Sequence, residues 1–147
     1  MHRKSVQALI GILLLSVIGA AVLFIRSQHE VQTFPLENAA DCTAFLLQRG
    51  IAVKQPPIVL ERILLPSVYN GTYENYLCLQ EDQGLSLRAC AGEEAELYLY
   101  ESAADRSVFV TLIVCDKKLV GADIGSFENG ELKPLLETGS KKGKPNG

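Results

Sequence analysis

The chain has 147 residues, a length that suits a single domain once an N-terminal membrane or targeting segment is set aside. Apolar residues make up 48% of the chain and charged residues 21%, which excludes disordered and collagen-like proteins and predicts a packed core. The formal net charge of -3 argues against a nucleic-acid-binding protein, because such a protein needs a concentrated basic face to contact phosphates.

An uncharged run near the N-terminus predicts a transmembrane helix. The run covers residues 5–25, and from residue 8 onward it is almost entirely apolar. At about 1.5 Å per residue the apolar stretch spans roughly 27 Å, close to the thickness of the bilayer hydrocarbon. The sequence therefore predicts a single-pass protein of the cell membrane.

The charges that flank the apolar run predict its orientation. Arg3 and Lys4 precede the run, whereas Arg26 alone follows it closely. Positive charge is retained on the cytoplasmic side, so we expect residues 1–4 to form a cytoplasmic stub and the rest of the chain to be extracytoplasmic. A signal peptide cleaved after Ala21 is the alternative interpretation.

The extracytoplasmic part divides into three regions by composition. Residues 26–37 lack a sustained period and contain Pro35, which predicts a short stalk. Residues 38–136 contain periodic apolar segments and are expected to form an α+β domain. Residues 137–147 are polar and rich in Gly and Lys, which predicts a disordered tail.

Two helices are predicted in the domain. The first covers residues 38–49, with Asn38 as the N-cap and Gly50 as the stop signal. The second ends at Gly84, and its helical spacing places Cys78 away from the buried side, which carries Tyr69, Tyr73, Tyr76, Leu77 and Gln80. Three residues are candidates for its N-cap: Ser67, Asn70 and Thr72.

The strands are predicted from apolar runs bounded by turn residues. They cover Ile58–Leu65, Ala95–Glu101, Ser107–Cys115 and Leu119–Ile124, with a short strand or turn over 51–53. The third of the four longer runs is apolar on both faces apart from Thr111, which marks it as a central strand. After a turn at Asn129 and Gly130, residues 132–135 are expected to pack along an edge. The fold class is therefore α+β, with two helices on a small, mainly antiparallel sheet.

Histidine is absent from the chain beyond His29 in the predicted stalk. Ser-His-Asp and Cys-His sites need an imidazole, and common zinc sites also use one, so these classes of site are not expected. The four cysteines lack the paired short spacings of a four-cysteine metal site. No catalytic, cofactor-binding or metal-binding residue is predicted, and no cofactor.

The cysteines of an exported domain are candidates for disulfide bonds. There are four of them, at positions 42, 78, 90 and 115, so two bonds have three connectivities. Pairing Tyr98 with Val110 places Cys115 opposite Glu93, three residues from Cys90. Cys90 and Cys115 are therefore the favoured pair, and four free thiols are the alternative.

Several carboxylates are candidates for functional groups. Asp123 lies between apolar residues of a predicted strand, which makes it the candidate functional carboxylate. The neighbouring acids Glu81 and Asp82, and likewise Glu93 and Glu94, are expected to diverge from one another and to be solvated.

Three stretches of the domain resemble a known family. Residues 73–87 (YENYLCLQEDQGLSL) and 112–124 (LIVCDKKLVGADI) are similar to the family patterns YxxYxxLQxxQGxDL and LLVYxGKxIGGDI, and residues 44–53 (AFLLQRGIAV) to AFLxxxGWEV. The family comprises small extracytoplasmic bacterial domains and is called domain of unknown function 4830. The resemblance implies a membrane-tethered or secreted domain without an assigned activity, so no catalytic residue is carried over. This chain departs from the family at Ile51, where the family has Trp, at Cys90 and Cys115, where it has Tyr, and at Lys117 and Ala122, where it has Gly.

These observations favour a binding protein over an enzyme. We expect a single-pass membrane-anchored protein whose extracytoplasmic domain binds a partner protein, a peptide or an envelope component. The alternatives are an enzyme that uses a Cys thiol or carboxylates near Asp123, and a passive subunit of a membrane complex. A deep cleft at Asp123 would favour the enzyme, whereas an exposed strand edge or apolar patch would favour binding.

Overall fold

The computed structural model describes residues 32–136 of the chain. The predicted stub over 1–4, the transmembrane helix over 5–25, the first part of the stalk and the tail over 137–147 lie outside the described residues. Among residues 32–136, no helix is both long enough and apolar enough to cross a membrane.

The described residues form an α+β fold, which confirms the predicted class. Two helices, a short 3-10 helix and five strands follow one another along the chain. They are α1 (Ala39–Gln48), β1 (Val59–Leu64), α2 (Gly71–Asp82), the 3-10 helix (Leu87–Cys90), β2 (Glu94–Glu101), β3 (Val108–Cys115), β4 (Lys118–Ser126) and β5 (Leu132–Pro134).

The five strands form one sheet in the order β1-β2-β3-β4-β5, and all neighbours are antiparallel. The link from β3 to β4 is a tight turn in which Asp116 and Lys117 have φ of 49° and 58°. Positive φ at both central residues matches the right-handed twist of a hairpin. The predicted strand over 51–53 is reduced to a single bridge between Val53 and Ser102.

The register between β2 and β3 differs from the predicted one by two residues. Tyr98 lies opposite Leu112 rather than Val110. Continuing this register places Cys115 level with Ala95 instead of Glu93. The turn over 102–107 is long enough to permit either pairing, so the alternation of side chains alone does not select between them.

Each face of the sheet carries its own apolar core. One core packs α1 against the sheet, and the other packs α2 and the 3-10 helix against the opposite face. Alternate residues of β3 enter the two cores, which confirms its predicted central position. The first core includes Tyr98, Tyr100, Val110, Leu112 and Val114, and the second includes Leu77, Leu87, Ala95, Ile113 and Cys115.

The predicted caps position α1. Asn38 Oδ1 accepts hydrogen bonds from the backbone N–H groups of Ala40 (2.9 Å) and Asp41 (3.1 Å). Gly50 ends the helix region with a φ of 73°, a conformation that costs glycine little. The side chains that α1 buries are those of Cys42, Phe45 and Leu46.

Residues of the predicted stalk that the structure describes pack against the domain. Leu36 is buried, and its N–H donates to the Lys117 carbonyl at 2.9 Å. The Leu119 N–H in turn donates to the Phe34 carbonyl at 3.0 Å. Residues 34–36 therefore belong to the folded domain and not to a spacer.

Asn70 is the N-cap of α2, accepting a hydrogen bond from Thr72 N at 3.1 Å. Leu77 is buried and Cys78 is exposed, which confirms the predicted orientation of the helix. Tyr73 was expected on the buried side but is 45% exposed. It lies in the first turn of the helix, where it packs edge-on against the ring of Tyr69.

Candidate functional site

The candidate carboxylate Asp123 lies in β4, opposite Thr111 of β3. The Tyr76 hydroxyl donates a hydrogen bond to Asp123 Oδ2 at 2.7 Å. Asp123 is only 2% exposed, and within the described residues its Oδ1 has no hydrogen-bond partner. The carboxyl group is therefore enclosed between α2 and the sheet.

Burial governs the protonation of this pair. Desolvation raises the pKa of the Asp123 carboxyl above its usual range, and the hydroxyls of Tyr76 and Thr111 offset only part of that effect. Burial likewise raises the pKa of Tyr76, with a further contribution from the negative charge of Asp123. Because the Asp123 carboxyl group is enclosed, a substrate cannot reach it in this conformation. Its hydrogen bond with Tyr76 instead joins α2 to β4.

Gln80 of α2 and Gln83, the residue that caps the C-terminus of α2, take the place of a strand beside Ala122. The strand β5 pairs with β4 only over Asp123–Gly125, so the backbone of Ala122 lacks a strand partner on that side. Gln80 Oε1 accepts from Ala122 N at 2.7 Å, and Gln83 Nε2 donates to the Ala122 carbonyl at 2.9 Å. Both side chains are buried, so these bonds satisfy groups that water does not reach.

Gln83 also fixes the chain after β5. Its Oε1 accepts hydrogen bonds from Leu135 N and Leu136 N, each at 2.8 Å. Both leucines are thereby held in the core on the α1 side of the sheet. We refer to Gln80 and Gln83 together as the glutamine clamp. The sequence placed Gln80 on the buried side but assigned no role to Gln83, whose only signal is its place in the LQEDQG stretch.

Cys42 and Cys90 do not show the features of an activated nucleophile. Burial, aided by the nearby charge of Asp41, raises the pKa of the Cys42 thiol to about 12. Burial and contact with Cys115 raise the pKa of the Cys90 thiol to about 12. A catalytic thiol needs a lowered pKa, so neither environment favours thiolate chemistry.

The neighbouring acids of the sequence, Glu81 with Asp82 and Glu93 with Glu94, do not form a catalytic pair of carboxylates. Glu81 accepts from Arg88 Nε at 2.6 Å, and Glu74 accepts from Arg88 Nη2 at 2.8 Å, so an arginine links two exposed acids of α2. Glu93 and Glu94 are exposed at the start of β2. Among residues 32–136, no group of three or more His, Cys, Asp or Glu side chains is arranged to hold a metal ion.

The outer edge of β1 is the feature that sequence reasoning missed. Leu65 N donates to the Glu93 carbonyl at 2.9 Å, in line with the β1–β2 register. Because hydrogen-bonding direction alternates along an antiparallel strand, the backbone groups of Leu60, Arg62 and Leu64 point away from β2. In the part of the chain that the structure describes, no strand lies beyond this edge.

The side chains along this edge are exposed on the sheet face that carries α1. Leu60 is 55% exposed and Leu64 is 73% exposed. Exposed leucines beside unpaired backbone groups form a template for another strand. The sequence predicted the strand itself, but an isolated run of apolar residues does not reveal which strand ends at the border of a sheet.

Two adjacent grooves lie between the β1 edge, β2 and the start of α1. Their volumes are about 320 Å³ and about 330 Å³, and both are lined by Glu37, Arg62 and Glu96. Together they are lined by five carboxylates and two cations, so the grooves are acidic. The carboxylates are Glu37, Glu61, Glu94, Glu96 and Asp116, and the cations are Arg62 and Lys117.

Comparison with known proteins identifies no relative of this chain. No family model, curated protein or solved structure matches the chain. The resemblance to domain of unknown function 4830 therefore stays a prediction.

Replacing Gln83 with Ala should lower the free energy of unfolding by about 3 kcal/mol, because buried backbone groups of Ala122, Leu135 and Leu136 lose their partner. Urea denaturation measures the loss. Gln48→Ala, a change at an exposed glutamine that ends α1, is the matched control and should change stability by less than about 0.5 kcal/mol. Equal stabilities of the two variants would contradict the role of Gln83 as the partner of these buried backbone groups.

The raised pKa of Asp123 predicts a defined pH dependence. Between its unfolded and folded pKa values the folded state holds a proton that the unfolded state releases, so this group's contribution to stability is lost as pH rises through the folded pKa. Asp123→Asn cannot ionise, so its stability relative to the natural protein should increase from about pH 4 to about pH 7. Urea denaturation across this range measures the difference.

Tyr76→Phe provides a second arm of the same experiment. It removes the hydrogen bond that favours the charged carboxylate and so raises the folded pKa further, and the stability of this variant should therefore continue to fall up to a higher pH than that of the natural protein. A pH-independent difference between Asp123→Asn and the natural protein would show that the Asp123 carboxyl ionises as freely as one in water.

Proposed function

We propose that this chain is a single-pass membrane protein whose extracytoplasmic domain binds an extended segment of a partner protein. The segment adds to the sheet as a strand along the outer edge of β1. The free backbone groups of Leu60, Arg62 and Leu64 carry the proposal, because they supply the hydrogen bonds of such an addition. The 320 and 330 Å³ grooves beside them receive the partner's side chains.

The character of the edge and the grooves defines the segment. Side chains of an added strand that project toward the α1 face meet Leu60 and Leu64, which favours apolar residues at alternate positions. The acidic lining that includes Glu94 and Asp116 favours Lys or Arg in the same segment. The partner is therefore expected to present an extended stretch that combines apolar and basic residues.

The membrane part of the proposal is supported by the sequence. The apolar stretch over residues 8–25 has the length of a membrane span, and the positive charges at its start favour a cytoplasmic N-terminus. This arrangement presents the β1 edge to partners outside the cell or in its envelope. An enzymatic role receives less support, since Asp123 is enclosed and the pKa values of Cys42 and Cys90 are raised.

Docking at the edge is tested with a fluorescein-labelled peptide of repeating Val-Thr-Lys-Thr, which places Val and Lys together on the face toward α1, titrated with the purified full-length chain. Leu60→Pro removes an outward N–H and an exposed leucine without removing a β1–β2 hydrogen bond, and should weaken binding by at least about tenfold. Glu94→Lys should weaken binding through charge reversal, most strongly at low salt. Fluorescence anisotropy gives the affinities.

Two controls accompany this titration. Leu47→Ala alters an exposed leucine of α1 away from the edge and should leave the affinity unchanged. A peptide with Pro at alternate positions cannot pair as a strand and should not bind. Unchanged binding by Leu60→Pro, or equal binding of the Pro-containing peptide, would refute strand addition at β1.

The orientation is tested by adding protease to intact protoplasts. The domain should be digested while a cytoplasmic marker protein survives, because positive charge precedes the span. Protection of the domain would refute the orientation. Release of the mature protein without detergent, with an N-terminus near Val22, would identify a cleaved signal peptide instead of an anchor.

A further inference from the structure

Cys115 and Cys90 lie in one core cluster although 24 residues separate them in the sequence. Cys115 is the last residue of β3, and the β2–β3 register places it level with Ala95. Both Cys115 and Ala95 are buried on the sheet face that carries α2. Cys90 packs against this same cluster from the end of the 3-10 helix.

The chain between Cys90 and β2 is tightly turned. Glu93 N donates to the Cys90 carbonyl at 3.1 Å, and Gly92 N donates to the Pro66 carbonyl at 3.0 Å. These bonds hold Cys90 back over the first residues of β2, beside the strand that carries Cys115. The turn thus brings the two thiols together from separate elements.

The two thiols lie close enough to influence one another in the reduced protein. After burial, the neighbouring Cys115 thiol is the main cause that raises the pKa of the Cys90 thiol. Both residues are free cysteines in the structure. Cys42 belongs to the core on the other face of the sheet, and Cys78 is exposed on α2, so neither competes for this contact.

We propose that Cys90 and Cys115 are a redox-active pair that is converted to a disulfide by an oxidising thiol–disulfide exchange protein. Partly exposed Cys90 is the entry point, and buried Cys115 is the resolving thiol. This inference is independent of peptide binding at β1. It follows from the meeting of two cysteines in a domain proposed to lie outside the reducing cytoplasm.

The exchange proceeds in two balanced steps. Cys90 loses its proton, and its sulfur attacks a disulfide of the oxidising protein, which forms a mixed disulfide and releases one thiol of that protein. Cys115 then loses its proton and attacks the Cys90 sulfur, and the second thiol of the oxidising protein leaves. Two electrons pass from the two cysteines to the oxidising protein, which takes up two protons.

The raised pKa of Cys90 makes spontaneous exchange slow, because only the thiolate attacks. An oxidising protein whose leaving thiol has a low pKa speeds the exchange relative to dissolved small disulfides, because such a thiol leaves more readily. Once formed, the bond ties the segment that links α2 to β2 onto the end of β3. Closing this loop should raise the melting temperature by roughly 10 °C, because the cross-link restricts the unfolded chain.

The test treats the purified full-length chain with a bacterial periplasmic-type dithiol oxidase in its disulfide form, and then alkylates it under denaturing conditions without reductant. Mass spectrometry should find a cross-linked peptide pair that contains Cys90 and Cys115, with Cys42 and Cys78 alkylated. The melting temperature should rise on oxidation and return on reduction. Four alkylated thiols after oxidation would overturn the proposal.

Three variants separate the bond from general folding effects. Cys78→Ser should keep the redox-dependent rise in melting temperature, because Cys78 is exposed and outside the pair. Cys115→Ser should abolish the rise, and Cys90→Ala, at a less buried position, should do the same with milder effects on folding. A rise that persists in Cys90→Ala, or that disappears in Cys78→Ser, would overturn the assignment.

Discussion

The structure depends on how the backbone of Ala122 is satisfied where β5 stops short. A sheet edge buried beneath a helix must find partners for its N–H and C=O groups, and here the partners are side-chain amides of Gln80 and Gln83. Each glutamine amide offers both a donor and an acceptor, so the pair reproduces the hydrogen-bonding pattern of a strand. The same amide of Gln83 holds Leu135 and Leu136, so one contact joins α2, β4 and the end of the domain.

The clamp explains why the domain has two cores and still forms one unit. Gln83 lies on the α2 side of β4, yet the two leucines it binds fill the core beneath α1. Asp123, the next residue after Ala122, meets Tyr76 on the α2 side. This carboxyl group, which the sequence marks as the candidate functional carboxylate, therefore serves the contact between the helix and the sheet.

Much of the fold could be predicted because local signals agreed with the global structure. Asn38 and Asn70 cap the two helices, and a strand apolar on both faces proved to be central. The register of Tyr98 was missed, because the turn before β3 permits two pairings that bury the same face. The clamp and the free edge of β1 were missed for a related reason: both depend on which elements become neighbours, and polar Gln83 has no local pattern that marks it as buried.

The two sites with proposed roles, the β1 edge and the Cys90–Cys115 pair, lie away from the clamp. Among the described residues β1 pairs with β2 alone, so its outer edge is open, and the acidic grooves lie where α1 begins. The two thiols lie at the junction of the 3-10 helix with the sheet. The clamp joins the elements of the domain, while in our proposals the β1 edge binds the partner and the cysteine pair forms a covalent bond.

Amide hydrogen exchange, read residue by residue by NMR, tests the clamp most directly. If the glutamines replace a strand, the N–H groups of Ala122, Leu135 and Leu136 should exchange as slowly as those in the middle of β3, through global unfolding alone. Exchange of Leu135 and Leu136 at the rate of an exposed peptide would show that Gln83 does not hold the end of the domain, and would contradict the account.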